Sequence, residues 1–533
     1  MAGSATAAIS PSAPAATGPT AEDRIDPRRF VAFVAMTFGM FMAILDIQIV
    51  SASLTEIQAG LSASANEITW VQTSYLIAEV VMIPLSGYLS RALGTRVLFA
   101  MSAGGFTAAS LMCGLSTGIN EMIFWRAVQG FIGGGMIPTV FATAYLIFPR
   151  SKMNIVAPMI GLVATLAPTI GPTVGGYLTG ALSWHWLFFV NIIPGIAVTA
   201  AALILIDFDS PDWSLFRNFD WIGLLSMAGF LGALEYVLEE GPRNDWFGDH
   251  IVLLMAWVSG LSAIVFFARV LTFRQPIVDL RAFADRNFAL GSLFSFVLGI
   301  GLYGLTYLYP LYLGRVRGYD ALMIGETVFV SGVAMFLTAP IAGRLTGKID
   351  PRFMLITGFA FFALGTWWLT YLTKDWDFWE LFWPQVFRGI GLMLAIVPIN
   401  NISLGTLPAD RLKNAAGLYN LMRNLGGAVG LAALTTLLNS RTDLHLARLH
   451  ESITWSRQPA MEMLNNLTQR FSSFGSDAQA MALKQLNQIV NRQGVVMAFA
   501  DVFLVLTFLF IGLAVLAVVM KRPPAATAPG GGH

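Results

Sequence analysis

The feature that most constrains this chain is a series of long apolar segments that recurs along almost its whole length. Each segment reaches about 20 residues, the length at which an α-helix crosses the hydrocarbon core of a bilayer. Only 12% of the residues are charged, against about 25% in soluble domains, so charge cannot cover a water-exposed surface. The sequence therefore predicts an all-α polytopic membrane protein with about fourteen transmembrane helices. These spans, numbered one to fourteen in chain order, lie near residues 30–51, 69–90, 97–117, 121–147, 156–180, 184–207, 220–241, 252–272, 288–313, 322–346, 353–373, 379–405, 414–440 and 498–520.

Connections rich in Lys and Arg alternate with connections rich in Asp and Glu. Basic connections stay in the cytoplasm, and an even number of spans places both termini on one side. The basic residues that set this pattern are Arg24, Arg28, Arg29, Arg91, Arg96, Arg150, Lys152, Arg274, Arg281, Arg286, Arg344, Lys348, Arg352, Arg411, Lys413, Lys521 and Arg522. We therefore expect a multi-pass membrane protein with both termini cytoplasmic.

Two stretches resemble each other across the two halves of the chain. "PLSGYLSRALGTR" at 84–96 and "APIAGRLTGKIDPR" at 339–352 share Pro, Gly and Arg at a constant offset. In the same way, Arg126 of "FWRAVQG" and Arg388 of "VFRGIG" fall at the same point of their spans. Each half therefore contains a six-span unit, and internal repeats with a site between them are typical of transporters.

The repeat and the apolar segments together predict how the chain is divided. We expect a disordered cytoplasmic tail, an N-terminal six-helix bundle, two inserted transmembrane helices, a C-terminal six-helix bundle and a second cytoplasmic tail. Their predicted boundaries are 1–29, 30–207, 208–280, 281–520 and 521–533.

A polar periplasmic loop at 441–496 is predicted within the C-terminal bundle, between the last two spans. Its latter part, "SDAQAMALKQLNQIVNRQG", begins with a Ser476/Asp477 cap. The apolar residues that follow share one helical face: Ala482, Leu486, Ile489 and Val490. This face has little of its own chain to cover, so we expect it to dock a partner protein. An inert insertion is the alternative.

The stretch "LAPTIGPTVGGYL" at 166–178 contains residues that break helices in water. A helix-interior Pro costs about 3 kcal/mol and a Gly about 1 kcal/mol there. In lipid, small residues let helices approach closely, and neighbouring groups satisfy the carbonyls that proline frees. We therefore expect a kinked transmembrane helix, with Gly171 and Gly175 on one packed face, rather than a loop.

Four motifs resemble those of the major facilitator superfamily, in its fourteen-span drug:proton antiporter branch (the EmrB/QacA type). They are "GPTVGG" with Pro168 in span five, "FWRAVQGFIGGG" in span four, "LDIQIVSASL" around Asp46 in span one, and "GYLSRALGTR" between spans two and three. The long loop before the last span is more similar to EmrB than to QacA. Two departures are Arg91, where the loop motif usually has an acidic residue, and Gln48, where Thr is common.

The resemblance implies a major facilitator fold of two six-helix bundles plus two inserted helices, in the bacterial inner (plasma) membrane. It implies that the glycine face of span five packs against the facing repeat and favours export over uptake. It also implies a periplasmic membrane-fusion adaptor (EmrA-like) as a partner, and through it an outer-membrane channel. The antiporter motif carried over by this resemblance comprises Pro168, Gly171, Pro172, Gly175 and Gly176.

Charged residues inside spans are costly and therefore indicate function. Asp46 lies in the middle of span one, and Glu79 lies on an inward-facing polar stripe of span two. By resemblance, Arg126 belongs to proton coupling. We therefore predict Asp46, Glu79 and Arg126 as the proton-coupling residues, with a purely structural ion pair as the alternative.

Substrate-binding residues are predicted from their positions beside these charges and in an aromatic span. Gln72 and Tyr75 share the stripe of Glu79, and Gln129 shares a face with Arg126. Span nine carries tyrosines before a proline, which suits an apolar cavity, although anchoring at the membrane interface explains the outer tyrosines equally well. Span thirteen carries a polar patch that also suits helix packing. The additional candidates from these two spans are Tyr303, Tyr307 and Asn420.

The sequence contains no phosphate-binding loop, metal-ligand spacing or nucleophile–base grouping, so neither a cofactor nor an enzymatic activity is predicted. We expect a secondary active multidrug exporter that exchanges protons for hydrophobic or amphipathic compounds, as the inner-membrane part of a tripartite pump. The alternatives are an ion-coupled nutrient importer, a membrane-embedded transferase and a channel. The substrate and the choice between proton and sodium remain open.

Overall fold

A computed structural model describes residues 26–149, 152–346 and 348–518. Fourteen stretches within this part are long and apolar enough to cross a membrane, in agreement with the sequence. The predicted tails lie almost wholly outside the described residues, as do Arg24, Arg150, Lys521 and Arg522. The first helix begins at Pro27, where Asp26 accepts a hydrogen bond from the Arg28 amide and caps it.

Among the described residues, the N-terminal half contains nine helices, eight of which form six spans. They are α1 (Pro27–Ala52), α2 (Leu54–Leu61), α3 (Ala65–Ala92), α4 (Thr95–Leu115), α5 (Ile119–Gly133), α6 (Met136–Ile147), α7 (Met153–Ala181), α8 (Trp186–Phe189) and α9 (Ile192–Leu205). Helices α5 and α6 together form span four, and α8 and α9 form span six. Helix α1 packs on α7 and α9, while α3 and α4 both pack on α5.

Two inserted helices and the C-terminal half follow. They are α10 (Trp221–Glu240), α11 (His250–Thr272), α12 (Arg286–Tyr312), α13 (Ala321–Leu345), α14 (Pro351–Trp368), α15 (Phe378–Leu404), α16 (Ala409–Ser452), α17 (Gln458–Arg470) and α18 (Ala478–Val518). The halves meet along α7 with α13 and along α16 with α3 and α6. The expected two six-helix bundles with two additional helices are therefore confirmed.

The inserted helices differ from each other in their surroundings. Helix α10 packs on α11, on α3 of the N-terminal half and on α16 of the C-terminal half. Glu235 of α10 is buried. In the most apolar 18-residue stretch of helix α11, only 17% of the residues are buried. One inserted helix thus lies against both halves, and the other presents most of its surface outward.

Helix α7 runs without interruption through Pro158, Pro168 and Pro172. The prediction that this stretch is helical rather than a loop is confirmed. The expected partner of its glycine face is corrected, because Gly171 and Gly175 pack on α1 of the same half. A Cβ atom at Gly175 would lie only 2.9 Å from the carbonyl oxygen of Ile49.

The facing repeat meets a different side of α7. Gly325 of α13 lies against Thr173, and Gly332 lies against Leu166 and Thr169. The small residues that bring the two halves together here are therefore those of α13, while the glycines of the antiporter motif bring α7 close to α1.

The segment 441–496 is almost entirely helical. Helix α16 has 44 residues, about 66 Å at 1.5 Å per residue, which is far longer than a bilayer core requires. The part of α16 beyond residue 440, together with α17 and the start of α18, forms a helical projection at one end of the molecule. The predicted amphipathic helix is present, but its apolar face is covered by this chain. Leu464 and Leu467 of α17 pack with Ala482, Leu486 and Ile489 of α18.

Candidate functional site

An ion pair lies at the centre of the N-terminal half. Nη1 of Arg126 on α5 donates a hydrogen bond of 2.6 Å to Oδ2 of Asp46 on α1. Both side chains are fully buried. Breaking a buried pair by removing one partner costs about 3–5 kcal/mol, because the other charge is left uncompensated. The structure therefore brings together two of the three residues predicted for proton coupling.

The Asp46 carboxylate has a second partner that sequence reasoning missed. Asn191, just before α9, donates 2.7 Å to Oδ1 of Asp46 and 3.1 Å to the hydroxyl of Ser110. Asn191 is buried. The sequence does place this amide inside the apolar span six, between "LFFV" and "IIPG". Because polar groups inside a membrane indicate function, Asn191 could have been predicted as a candidate from this position. Both carboxylate oxygens of Asp46 are thus held by amide or guanidinium donors.

The guanidinium of Arg126 is held from several sides. Its Nε donates 3.2 Å to the carbonyl of Val71 on α3, and its Nη1 also donates 2.8 Å to Gln129. The ring of Tyr75 lies 4.3 Å from the guanidinium carbon, within cation–π range. Arg126 therefore ties α5 to α1 and α3 through contacts that depend on its charge.

Glu79, the third predicted coupling residue, lies outside this network. Its side chain is buried at 2% exposure. Its Oε1 has no hydrogen-bond partner among the residues the structure describes. An ionised carboxylate in that position is costly, so such a group holds a proton or awaits a cationic partner. Its role in coupling stays a prediction.

The C-terminal half contains a related arginine with different partners. Arg388 on α15 is buried, and its Nη2 donates 2.9 Å to the hydroxyl of Thr306 on α12. Its guanidinium carbon lies 5.6 Å from the centre of the Tyr309 ring. Gln385 donates 2.7 Å to the carbonyl of Thr327 on α13. In the described part of the chain, Arg388 forms no ion pair.

A cavity of about 590 Å³ lies between the two halves, a size that suits a drug-like ligand. Its lining includes Ile47 and Gln48, the two residues that follow Asp46 on α1. It extends to the C-terminal ends of α1 and α10, on the same side as the helical projection. Other lining residues are Gln72, Pro172, Leu238, Glu239, Arg243, Tyr303 and Tyr307.

The predicted substrate-binding residues fall into two groups. Gln72, Tyr303 and Tyr307 line the cavity. Tyr75 and Gln129 contact Arg126 instead, and Asn420 accepts a 2.5 Å hydrogen bond from Arg423. Of the antiporter motif, Pro168 is buried in α7 and Pro172 lines the cavity, while Gly176 is half-buried. Direct contact with substrate remains a prediction for the six substrate-binding candidates: Gln72, Tyr75, Gln129, Tyr303, Tyr307 and Asn420.

The opposite end of the molecule is closed by a cluster that the sequence did not suggest. Asp209, in the linker before α10, accepts hydrogen bonds from the Thr95 amide at 3.0 Å and its hydroxyl at 2.8 Å. It also pairs with Lys413 of α16, which donates 3.0 Å to the carbonyl of Ser90. Asp209 thus provides an acidic group beside the loop motif in which Arg91 replaces the usual acid.

Comparison with known proteins identifies the architecture. The Major Facilitator Superfamily profile matches residues 36–431. The colistin resistance protein EmrB of Acinetobacter baumannii is 42% identical over 92% of this chain and 96% of its own length. The multidrug export protein EmrB of Escherichia coli K12 is 30% identical over 94% of this chain and 96% of its own.

A solved structure agrees in fold. The human organic anion transporter MFSD10 superposes with a TM-score of 0.55, covering 91% of this chain and all of that one, at 12% identity. This similarity concerns the arrangement of helices alone.

Proposed function

Because the chain belongs to the Major Facilitator Superfamily, we propose that it is a secondary active multidrug exporter. It exchanges protons for hydrophobic or amphipathic compounds across a bacterial inner membrane, with both termini cytoplasmic. Its family is one of transporters rather than enzymes. The even number of spans and the basic connections support the orientation.

The observation that carries this proposal is the buried Asp46–Arg126 pair next to the cavity. Protonation of Asp46 removes the charge that holds Arg126, and so loosens α1 from α5. Ile47 and Gln48 line the cavity on the same turn of α1, and Gln48 packs against Gly171 of α7. A change in the charge of Asp46 is therefore transmitted directly to residues around the substrate.

Alternating access requires that the cavity open to one side at a time. The cavity lies toward the end with the helical projection, while Asp209 and Lys413 join the halves at the other end. This arrangement suits an outward-facing state. Return to the inward-facing state requires the Asp209–Lys413 pair to break.

We also propose that the helical projection docks a periplasmic membrane-fusion adaptor, and through it an outer-membrane channel. The apolar face of α18 is already covered by α17, so docking must use other side chains. Trp455 is 69% exposed and Phe474 is 55% exposed, and they lie in the two connections that flank α17 of the projection. Replacing both by Ser should abolish resistance in cells and spare proton exchange in vesicles, whereas unchanged resistance would contradict docking at these residues.

The main test uses vesicles reconstituted with the purified full-length chain. A proton gradient should drive uptake of ethidium by the wild type, and Asp46→Asn should abolish this uptake because an amide carries no exchangeable proton. Asp443→Asn, on the exposed extension of α16, is the matched control and should transport normally. Full gradient-driven transport by Asp46→Asn would contradict the proposal, as would uptake by the wild type that ignores the gradient.

A further inference from the structure

Two buried side chains of opposite charge lie on helices that meet at the boundary between the halves. Glu79 belongs to α3 of the N-terminal half, and Arg423 belongs to α16 of the C-terminal half. Glu79 is 2% exposed and Arg423 is 3% exposed. The charge of Arg423 acts on the Glu79 carboxyl, so the two groups interact across the boundary.

The register of α3 and α16 places these two residues at the same level. A Cβ atom at Gly87 of α3 would lie 2.9 Å from the Cα atom of Asn414, and one at Gly417 of α16 would lie 3.5 Å from the Cα atom of Pro84. These contacts show that the helices run in opposite directions. Counting onward from them brings the glutamate level with residue 422, about 1.5 Å along the axis from the arginine.

Each of the two groups has an atom without a hydrogen-bond partner in the described part of the chain. These atoms are Oε1 of Glu79 and Nη1 of Arg423. The other terminal nitrogen of Arg423 donates to the neutral amide of Asn420. Within residues 26–149, 152–346 and 348–518, neither charged side chain takes part in an ion pair. A buried charge without a counter-charge is costly, so each group lacks what the other can supply.

The other groups around Glu79 do not provide a free cation. The charge of Arg126 also acts on Glu79, but this arginine is held by Asp46. The remaining titratable groups that interact with Glu79 carry no positive charge: Tyr75 of α3, Glu235 of α10 and Tyr303 of α12. Among the described residues, Arg423 is therefore the nearby cation that is left without a carboxylate.

The two charges lie just beyond the last close contact between their helices. Helix α3 touches α16 at Gly417. Farther toward the helical projection the central cavity separates the two helices, with Gln72 of α3 and Leu431 of α16 in its lining. Alternating access requires this side of the cavity to close. Closure there moves the two helices together at the level of Glu79 and Arg423.

We propose that Glu79 and Arg423 form an ion pair between the halves that holds the cavity closed on the side of the helical projection. The pair forms when the Glu79 carboxyl has lost its proton to water, and Oε1 then accepts a hydrogen bond from Nη1 of Arg423. Protonation of Glu79 breaks the pair and lets the halves separate. The inference rests on the proposed export function, in which exchange at Asp46 drives the cycle, and it assigns Arg423 as a positioning residue.

The pair is tested by the accessibility of the cavity in the full chain in nanodiscs. The probe is a cysteine at Thr435, which lines the cavity, in a Cys113→Ser background, and the reagent is a polar maleimide. At alkaline pH, Glu79→Gln and Arg423→Met should each be labelled about tenfold faster than the parent chain, and combining them should add nothing. Arg448→Gln, an exposed position on the same helix, is the control. Labelling of both single variants at the parent rate would overturn the pair.

A pH series distinguishes the proposed pair from a purely structural arginine. The labelling rate of Glu79→Gln relative to that of the parent chain should grow from acid to alkaline pH, because only an ionised Glu79 binds the arginine. Arg423→Met should remove this growth, and Arg423→Lys, which keeps the charge and also serves where the methionine prevents folding, should retain it. A ratio that does not change with pH in the parent background would contradict the proposal.

These measurements separate the inference from the proposed function. Labelling requires neither a drug nor a proton gradient, so a chain that shows the pair but fails to transport ethidium would contradict the exporter alone. Gradient-driven ethidium transport, together with equal labelling of the parent chain, Glu79→Gln and Arg423→Met, would overturn the pair alone.

Discussion

The two halves of this protein place an arginine at the same point of the repeat but give it different partners. In the N-terminal half, Arg126 pairs with Asp46, and Asn191 holds the second oxygen of that carboxylate. In the C-terminal half, Arg388 donates to the neutral hydroxyl of Thr306. The comparison shows that the repeat preserves the position of a buried cation, while among the described residues a carboxylate partner is present in the N-terminal half only.

Two other features recur around the arginines: a backbone carbonyl that accepts a side-chain hydrogen bond, and a tyrosine ring. Val71 accepts from Arg126 and Thr327 accepts from Gln385, and these two carbonyls are separated by 256 residues, the same interval as Pro84 and Pro340. A tyrosine ring lies beside each guanidinium. The halves therefore differ in whether the arginine has a carboxylate and in whether the arginine itself or a nearby glutamine donates to the carbonyl of the neighbouring helix.

The largest expected effect is the loss of the N-terminal carboxylate. Asp46→Ala leaves Arg126 buried without a counter-charge, and we expect a cost of about 3–5 kcal/mol in stability together with complete loss of exchange. Thr306→Ala removes only a neutral hydrogen-bond partner and should cost about 1–3 kcal/mol. Thermal unfolding in detergent compares the two variants. An equal loss of thermal stability in the two variants would contradict the difference between the halves.

A second variant makes the C-terminal half resemble the N-terminal half. Thr306→Asp places a carboxylate next to Arg388, and we expect it to form an ion pair that keeps the protein folded. In the Asp46→Asn background it should not restore exchange, because Arg388 contacts neither α1 nor α5 in the described structure. Vesicle transport measures this. Recovery of exchange would show that a carboxylate in either half can support proton coupling.

A smaller effect is expected at the closed end, where the Asp209–Lys413 pair adds to the close packing of α3 on α16. Asp209→Asn weakens a partly exposed pair with Lys413, and we expect a cost of about 1 kcal/mol and a larger inward-facing population. The charge-exchanged variant Asp209→Lys with Lys413→Asp should recover part of this loss. Cysteine accessibility on the cytoplasmic side reports the population. Unaltered accessibility in Asp209→Asn would mean that the pair does not hold this end closed.

The smallest effect concerns an ion pair that the C-terminal half carries at its surface. Asp377 pairs with Arg317 at 3.3 Å, and hydrogen bonds from Tyr319 and the Phe378 amide lower the pKa of the Asp377 carboxyl. Its stabilisation is therefore present above the ordinary Asp pKa and is lost as the pH falls through the lowered value. Because the pair is largely solvated, Asp377→Asn should cost below about 1 kcal/mol near pH 7. Thermal unfolding at pH 7 checks this, and a loss as large as that of Asp46→Ala would contradict the contrast.

The helices could be predicted from sequence because crossing a bilayer imposes length and apolarity on each segment. The buried charges could be predicted for the same reason, since each interrupts an apolar run. The contact between Asp46 and Arg126 could not, because these residues are 80 positions apart and periodicity does not specify which helices meet. The same limit explains the correction at Gly171 and Gly175, whose shared face was predictable and whose partner α1 was not.

Other residues were missed because their sequence context is ordinary. Asn191 lies near the start of an apolar span, where a polar residue also suits a helix end. Asp209 lies in a polar linker, and only the fold brings it to Thr95 and Lys413. Leu464 and Leu467 carried a usable signal, since a spacing of three places them on one helical face that can cover the apolar side of α18.

The most direct test of the account is proton release by the purified full-length protein when a drug is added. Wild type should release protons on addition of ethidium, and so should Arg388→Gln, because Arg388 has no carboxylate partner among the described residues. Asp46→Asn should release none. Proton release by Asp46→Asn equal to that of the wild type, or its loss in a folded Arg388→Gln, would contradict the claim that coupling resides in the N-terminal pair.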